Sequence, residues 1–191
     1  MTAIIVVGAS DGGLAPLRQI TESLPRYCKA TLFVVVHIGR IQSSLPDILS
    51  WHGRMPVEFG RNGAKIEAGH IYVAPSDRHM LLSDTRIHLS SGPLVHHTRP
   101  AIDPLFASAA DSFGKRVVGV VLSGQGRDGA AGLAAIKSKG GLALVQEPDE
   151  ARARDMPSAA IAADSPESLS IDAIARRVVR FCYDAERQTR T

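Results

Sequence analysis

The stretch Ile4–Leu17, IIVVGASDGGLAPL, decides how the rest of the chain is read. Four apolar, β-branched residues run into Gly8. A serine and an acid follow, then two glycines and a segment with helical spacing. A short, wholly apolar β-branched run reads as a strand buried on both faces. A strand that turns through glycines straight into a helix reads as the first step of a parallel α/β unit. The loop Gly8–Gly13 admits two uses. It can wrap backbone N–H groups round a phosphate, or it can hold Ser10 up as a nucleophile in a sharp strand-to-helix turn.

The same pattern recurs along the chain. Thr31–Val36 (TLFVVV), His70–Pro75, Arg116–Ser123 (RVVGVVLS) and Leu142–Gln146 (LALVQ) read as further strands. Helical segments alternate with them at Leu14–Leu24, Leu45–Trp51, Asp103–Phe113, Ala130–Lys139, from Pro157 onward, and Ile171–Tyr183. Asp103 reads as the N-cap of its helix, with Pro104 at the first helical position. His79–Ser90 reads as a hairpin turning at Ser83-Asp84-Thr85. The predicted fold is α/β: a three-layer, doubly wound, mostly parallel sheet with a β-hairpin, forming a single domain over residues 1–191.

Composition narrows the class. The 191 residues are 45% hydrophobic and 21% charged, enough for one well-filled core and too apolar for a disordered chain. A net charge of +3 is too weak to argue for nucleic acid as a partner. Arg176, Arg177, Arg180, Arg187 and Arg190 read as a solvated helix face and tail. Cys28 and Cys182 are the two cysteines, a usage that fits a reducing cytoplasm rather than a disulfide framework. No secretory leader and no membrane-length apolar run is visible, so a cytoplasmic location without membrane insertion is expected. The chain begins almost on its first strand, so a regulatory domain is expected on another chain.

In an open parallel sheet, chemistry gathers at the carboxyl ends of the strands. Ser10 follows the first strand, His37 ends the second, and Asp128 lies in the loop after Arg116–Ser123. Gly8-Ala9-Ser10-Asp11-Gly12 is a literal G-x-S-x-G, and a helix N-terminus follows it, where free N–H groups suit an oxyanion. A serine hydroxyl needs a base in reach, and that base needs an acid to fix its tautomer. His37 and Asp128 fill these roles if their strands are neighbours. The bland reading leaves Ser10 as an N-cap. His52, His70, His79, His88, His96 and His97 show no metal-ligand spacing and read as surface or hydrogen-bonded histidines.

A rival lies in the loop GQGRDG. Gly124, Gly126 and Gly129 complete a G-x-G-x-x-G between a strand and a helix, with Glu147 18 residues further on. That fingerprint suits a dinucleotide, but it leaves Ser10 and His37 without a role.

Six segments together resemble the catalytic domain of the chemotaxis-type protein-glutamate methylesterase (CheB) family. VVGASDGG is similar to its serine loop, usually G-A-S-T-G-G, and VVVHIGR to its histidine strand, usually V-Q-H-M-P. IYVAPSDRHM, TRPAIDPLFASAA, LSGQGRDGAAGL and DMPSAAI are similar to the family's Y-I-A-P-x-x-x-H-M, R-P-S-V-D-x-L-F-x-S, L-T-G-M-G-x-D-G-A-x-G and M-P-x-A-A segments, in the same order. The resemblance implies Ser10 as nucleophile, His37 as base and Asp128 as acid. It further implies an oxyanion hole from the backbone N–H groups of Asp11 and Gln125, and a substrate contact from Arg99. It implies hydrolysis of γ-glutamyl methyl esters on a methylated chemoreceptor, with glutamine deamidation in some members, no metal or organic cofactor, and a receiver protein as a separate partner. The chain departs from the family pattern at Asp11, Val36, Gly39 and Gln125. A carboxylate at position 11 would repel a developing oxyanion unless it turns away or is paired, so a catalytically weakened binding module is the competing expectation.

Overall fold

The computed structural model describes residues 3–26, 28–37, 44–51 and 53–188. Gly39, His52 and Arg190 lie outside them. Among the described residues the central sheet has seven strands: β1 (Ile4–Ala9), β2 (Thr31–Val36), β3 (Val57–Phe59), β4 (Ile71–Val73), β7 (Val117–Val121), β8 (Leu142–Gln146) and β9 (Glu167–Leu169). Their order across the sheet is β3-β4-β2-β1-β7-β8-β9, and every pairing is parallel. A separate antiparallel hairpin joins β5 (His79–Ser83) to β6 (Arg86–Ser90), with Asp84 at φ 48° in its turn. The doubly wound sheet with a hairpin is the architecture expected from the strand pattern.

The apolar strands are explained by helices on both faces. Side chains alternate along β1: Ile5, Val7 and Ala9 join one core, Ile4 and Val6 the other. The first core is covered by α1 (Leu14–Ser23), α2 (Leu45–Ser50) and α6 (Ile171–Gln188), through Leu17, Ile20, Leu49, Ile174 and Val178. The second is covered by α3 (Ile102–Phe113), α4 (Ala130–Ser138), α5 (Asp155–Asp164) and the hairpin, through Leu105, Phe106, Leu133, Ile136, Met156 and Met80. Cys28 and Cys182 are buried in the first core and are not joined by a disulfide. No helix among the described residues is long and apolar enough to cross a membrane.

Two sequence readings need correction. The helix α5 starts at Asp155, two residues before Pro157. The helix α3 starts at Ile102 after Ala101, so Asp103 lies inside the first turn and is not the cap. The N–H groups of Ile102 and Asp103 are instead taken by Asp128, 26 and 25 residues away.

Candidate active site

The strand order turns outward in both directions from β1 and β7, which makes their carboxyl ends the switch point of the sheet. Ala9 and Val36 are partners in the β1–β2 register, so Ser10 and His37 leave the sheet side by side. The His37 N–H donates to the Ala9 carbonyl at 3.1 Å and continues the ladder one step. On the other flank, Gly8 pairs with Val121, and the Ser10 N–H donates to the Ser123 carbonyl at 3.0 Å. A side chain at Gly124 would overlap the Met156 sulfur and come within 2.8 Å of the Ser10 Cβ. Glycine there is what lets the β7 loop close over Ser10.

His37 Nε2 lies 2.9 Å from Asp128 Oδ2, with both side chains largely buried. Asp128 is 2% exposed, and its carboxylate also accepts the N–H of Ile102 (2.7 Å) and of Asp103 (2.9 Å). Burial pushes this carboxyl upward. The bonds from His37, Ile102 and Asp103 outweigh burial and hold it below the usual carboxylate range. Asp128 is therefore an anion at neutral pH, placed to accept an N–H from His37 Nε2. Thr98 Oγ1 stands 3.5 Å from His37 Nε2 and donates to the Val95 carbonyl. Ser10 and His37 are neighbours by strand register without a hydrogen bond between their side chains; the ring's partners among the described residues are Asp128 and Thr98.

Against this geometry stand the comparisons with known proteins. The CheB methylesterase family model matches residues 5–178. The chain belongs to this family. It is 38% identical over 175 residues to the protein-glutamate methylesterase/protein-glutamine glutaminase 2 of Anaeromyxobacter dehalogenans, covering 91% of this chain and 51% of that one. It is 36% identical over 180 residues to a putative protein-glutamate methylesterase/protein-glutamine glutaminase of Leptospira interrogans, covering 93% of each. The CheB methylesterase catalytic domain of Thermotoga maritima superposes with a TM-score of 0.90 at 26% identity, over 94% of this chain and 98% of that one. The chain spans about half the length of the Anaeromyxobacter relative and of most other curated relatives it matches.

Within this CheB fold the departures take a definite form. The Asp11 carboxylate turns to Gln125 Nε2 at 3.3 Å and to Arg152 Nε at 3.7 Å. Two of the residues that break the family pattern thus touch each other. The backbone N–H groups of Asp11 and Gln125 donate to no acceptor among the described residues. Arg99 is held in the wall of the site. Its Nε and Nη2 donate to Asp77 Oδ1, and Nη1 donates to the carbonyls of Ser91 and Gly92. These bonds anchor the loop that carries Thr98, so a substrate contact would have to share a guanidinium already engaged.

The dinucleotide reading fails on local chemistry. At the start of α4 the N–H groups of Gly129 (3.0 Å) and Gly132 (2.7 Å) donate to Asp103 Oδ1. The place where a pyrophosphate would sit is filled by the chain's own carboxylate. Other histidines are bound as structural residues: His79, 4% exposed, donates from Nε2 to the Pro93 carbonyl and accepts the Ala101 N–H at Nδ1.

Sequence reasoning passed over Ser123 and Gln146. The Ser123 hydroxyl donates to the Asp11 carbonyl at 2.7 Å and accepts the Ala153 N–H at 2.9 Å. The Gln146 Oε1 accepts the Ser123 N–H at 2.9 Å. Both are buried and join three loops beneath Ser10. The available signal was a polar residue at the end of an otherwise apolar strand, which needs a partner when buried.

Proposed function

We propose that this chain hydrolyses γ-glutamyl methyl esters on a methylated chemoreceptor, with Ser10 as nucleophile, His37 as base and Asp128 as acid. The observation that carries the reading is the buried His37–Asp128 bond beside the paired ends of β1 and β2, where Ser10 emerges. Ser10 Oγ attacks the ester carbonyl carbon as its proton passes to His37 Nδ1. The negative oxygen is received by the N–H groups of Asp11 and Gln125. Collapse returns the proton to the leaving methoxide and releases methanol, leaving a glutamyl ester on Ser10. Water then attacks that ester, giving its proton to His37, and free glutamate and Ser10 are regenerated. With a glutamine substrate the same steps release ammonia. Asp128 stays ionised and holds the ring in the tautomer that offers Nδ1. The methylated receptor is the protein substrate this reading requires.

Methanol release from a methylated receptor fragment tests it. Ser10→Ala should abolish release while the fold is kept, and retained turnover would overturn the assignment. A non-catalytic docking module is the second reading, favoured by a carboxylate beside the nucleophile. It predicts receptor association with no methanol from the wild type and restored release in Asp11→Thr. The turning of Asp11 toward Gln125 and Arg152 supports the catalytic reading over it.

A further inference from the structure

Asp103 has no role in the reaction above, yet it is bound to Asp128 by a reciprocal arrangement. Asp128 lies two residues before α4, and its carboxylate accepts the first N–H groups of α3. Asp103 lies in the first turn of α3, and its Oδ1 accepts the N–H groups of Gly129 and Gly132 at the start of α4. The start of α3 is capped by an acid from the loop before α4, and the start of α4 by an acid from α3. A helix N-terminus attracts a carboxylate through free N–H groups and through its dipole, so two converging N-termini can hold two acids close together. His96 Nε2 adds a 2.8 Å bond to Asp103 Oδ2. The close crossing is made possible at Gly132, where a side chain would come within 2.5 Å of the Phe106 Cβ.

We propose that Asp103 is a positioning residue for Asp128. The N–H it holds at Gly129 belongs to the peptide that joins Asp128 to Gly129, and Gly129 has φ 97°. Fixing that peptide fixes the direction of the Asp128 side chain, and so the reach from Asp128 Oδ2 to His37 Nε2. Without Asp103 the α4 end of this pair of caps is open. Asp128 then keeps its bonds to α3 but loses the constraint on its own backbone. The catalytic consequence rests on the proposed roles of His37 and Asp128; the structural one does not.

The test uses the full chain with Asp103→Ala and Asp103→Asn. Three quantities are read: the melting temperature, kcat and KM for methanol release, and the NMR signal of the His37 imidazole N–H bonded to Asp128. In Asp103→Ala we expect loss of that signal and at least a tenfold fall in kcat, with KM within twofold. The carboxamide oxygen of Asp103→Asn can accept the same two N–H groups, so the signal should persist and kcat stay within threefold. Persistence of signal and kcat in Asp103→Ala overturns the proposal. So does a fall in kcat with the signal intact. If Asp103→Ala does not fold, Asp103→Ser, whose shorter side chain can reach one N–H group, should lose three- to tenfold in kcat at unchanged KM. Wild-type kcat there overturns the proposal. Should the wild type release no methanol, the proposed function fails, and the imidazole signal still decides whether Asp103 holds Asp128.

Discussion

Asp11 places a carboxylate one side chain's length from the N–H that would receive an oxyanion. Two like charges about 5–6 Å apart at a solvated protein surface repel by about 1–3 kcal/mol, an amount that would show in a rate. Arg152 Nε lies 3.7 Å from the carboxylate and offsets part of this repulsion, although the pair is exposed and would be a poor source of stability. Arg152→Ala should therefore lower kcat by about three- to tenfold, with little change in melting temperature. In an Asp11→Asn background the same substitution should do almost nothing. Steady-state kinetics on the four proteins of this cycle measure the coupling, and added salt should narrow the difference. Gly124 makes a different kind of prediction. Gly124→Ala forces the β7 loop off Met156 and Ser10, and it should cost about 1–3 kcal/mol of stability and most of the activity. Thermal melts paired with methanol release check both halves. The proximity of Ser10 and His37 was legible in the sequence because each directly follows an apolar strand, whereas Asp128 lies seven residues beyond the end of β7 and reaches His37 through the loop before α4. The answer to Asp11 was not, because Arg152 is 141 positions away and nothing local ties the two together.

At the scale of elements, the carboxylate bonded to His37 is also the cap of α3. Asp128→Asn should destabilise the fold by about 1–3 kcal/mol at neutral pH, because a buried, charge-assisted acceptor is weakened. The pH dependence follows from the direction of the shift. The carboxyl is held below the usual carboxylate range in the folded chain. Its contribution is therefore fully present above the ordinary carboxylate value and is lost as pH falls through the lower folded one. Denaturant midpoints of wild type and Asp128→Asn should differ by a constant amount above about pH 5 and converge below the carboxylate range. The strand and helix periods were readable because β1, β2 and β7 are apolar on both faces. The edge strands β3 (VEF) and β9 (ESL) escaped the reading. Each has three residues, one pairing partner and a partly solvated surface, so no apolar run marks it. The start of α3 was misplaced for a related reason. An Asp-Pro pair looks like a cap and a first helical residue, but the Asp103 side chain reaches another helix, and that choice is made by tertiary packing.

For the molecule as a whole, stability comes from two cores on opposite faces of one parallel sheet. Both cysteines are buried in the first of these and are not joined by a disulfide, so reductant should leave the unfolding midpoint unchanged. A reductant-sensitive midpoint would show a disulfide that the structure does not contain. The sheet also has a division in it. Strands β1 to β4 lie on one side of the β1–β7 pairing and β7 to β9 on the other, and the chain crosses between these sets once, through the hairpin and α3. Ser10 and His37 belong to the first half of the polypeptide, Gln125 and Asp128 to the second. Leu94, 49% exposed, lies between the halves in sequence. A chain severed there would yield two inert fragments whose reunion restores every member of the site at once. Co-expressed as separate pieces, with a binding pair fused to the new ends, they should form a split reporter. Ester turnover in it would count how often two unrelated proteins meet.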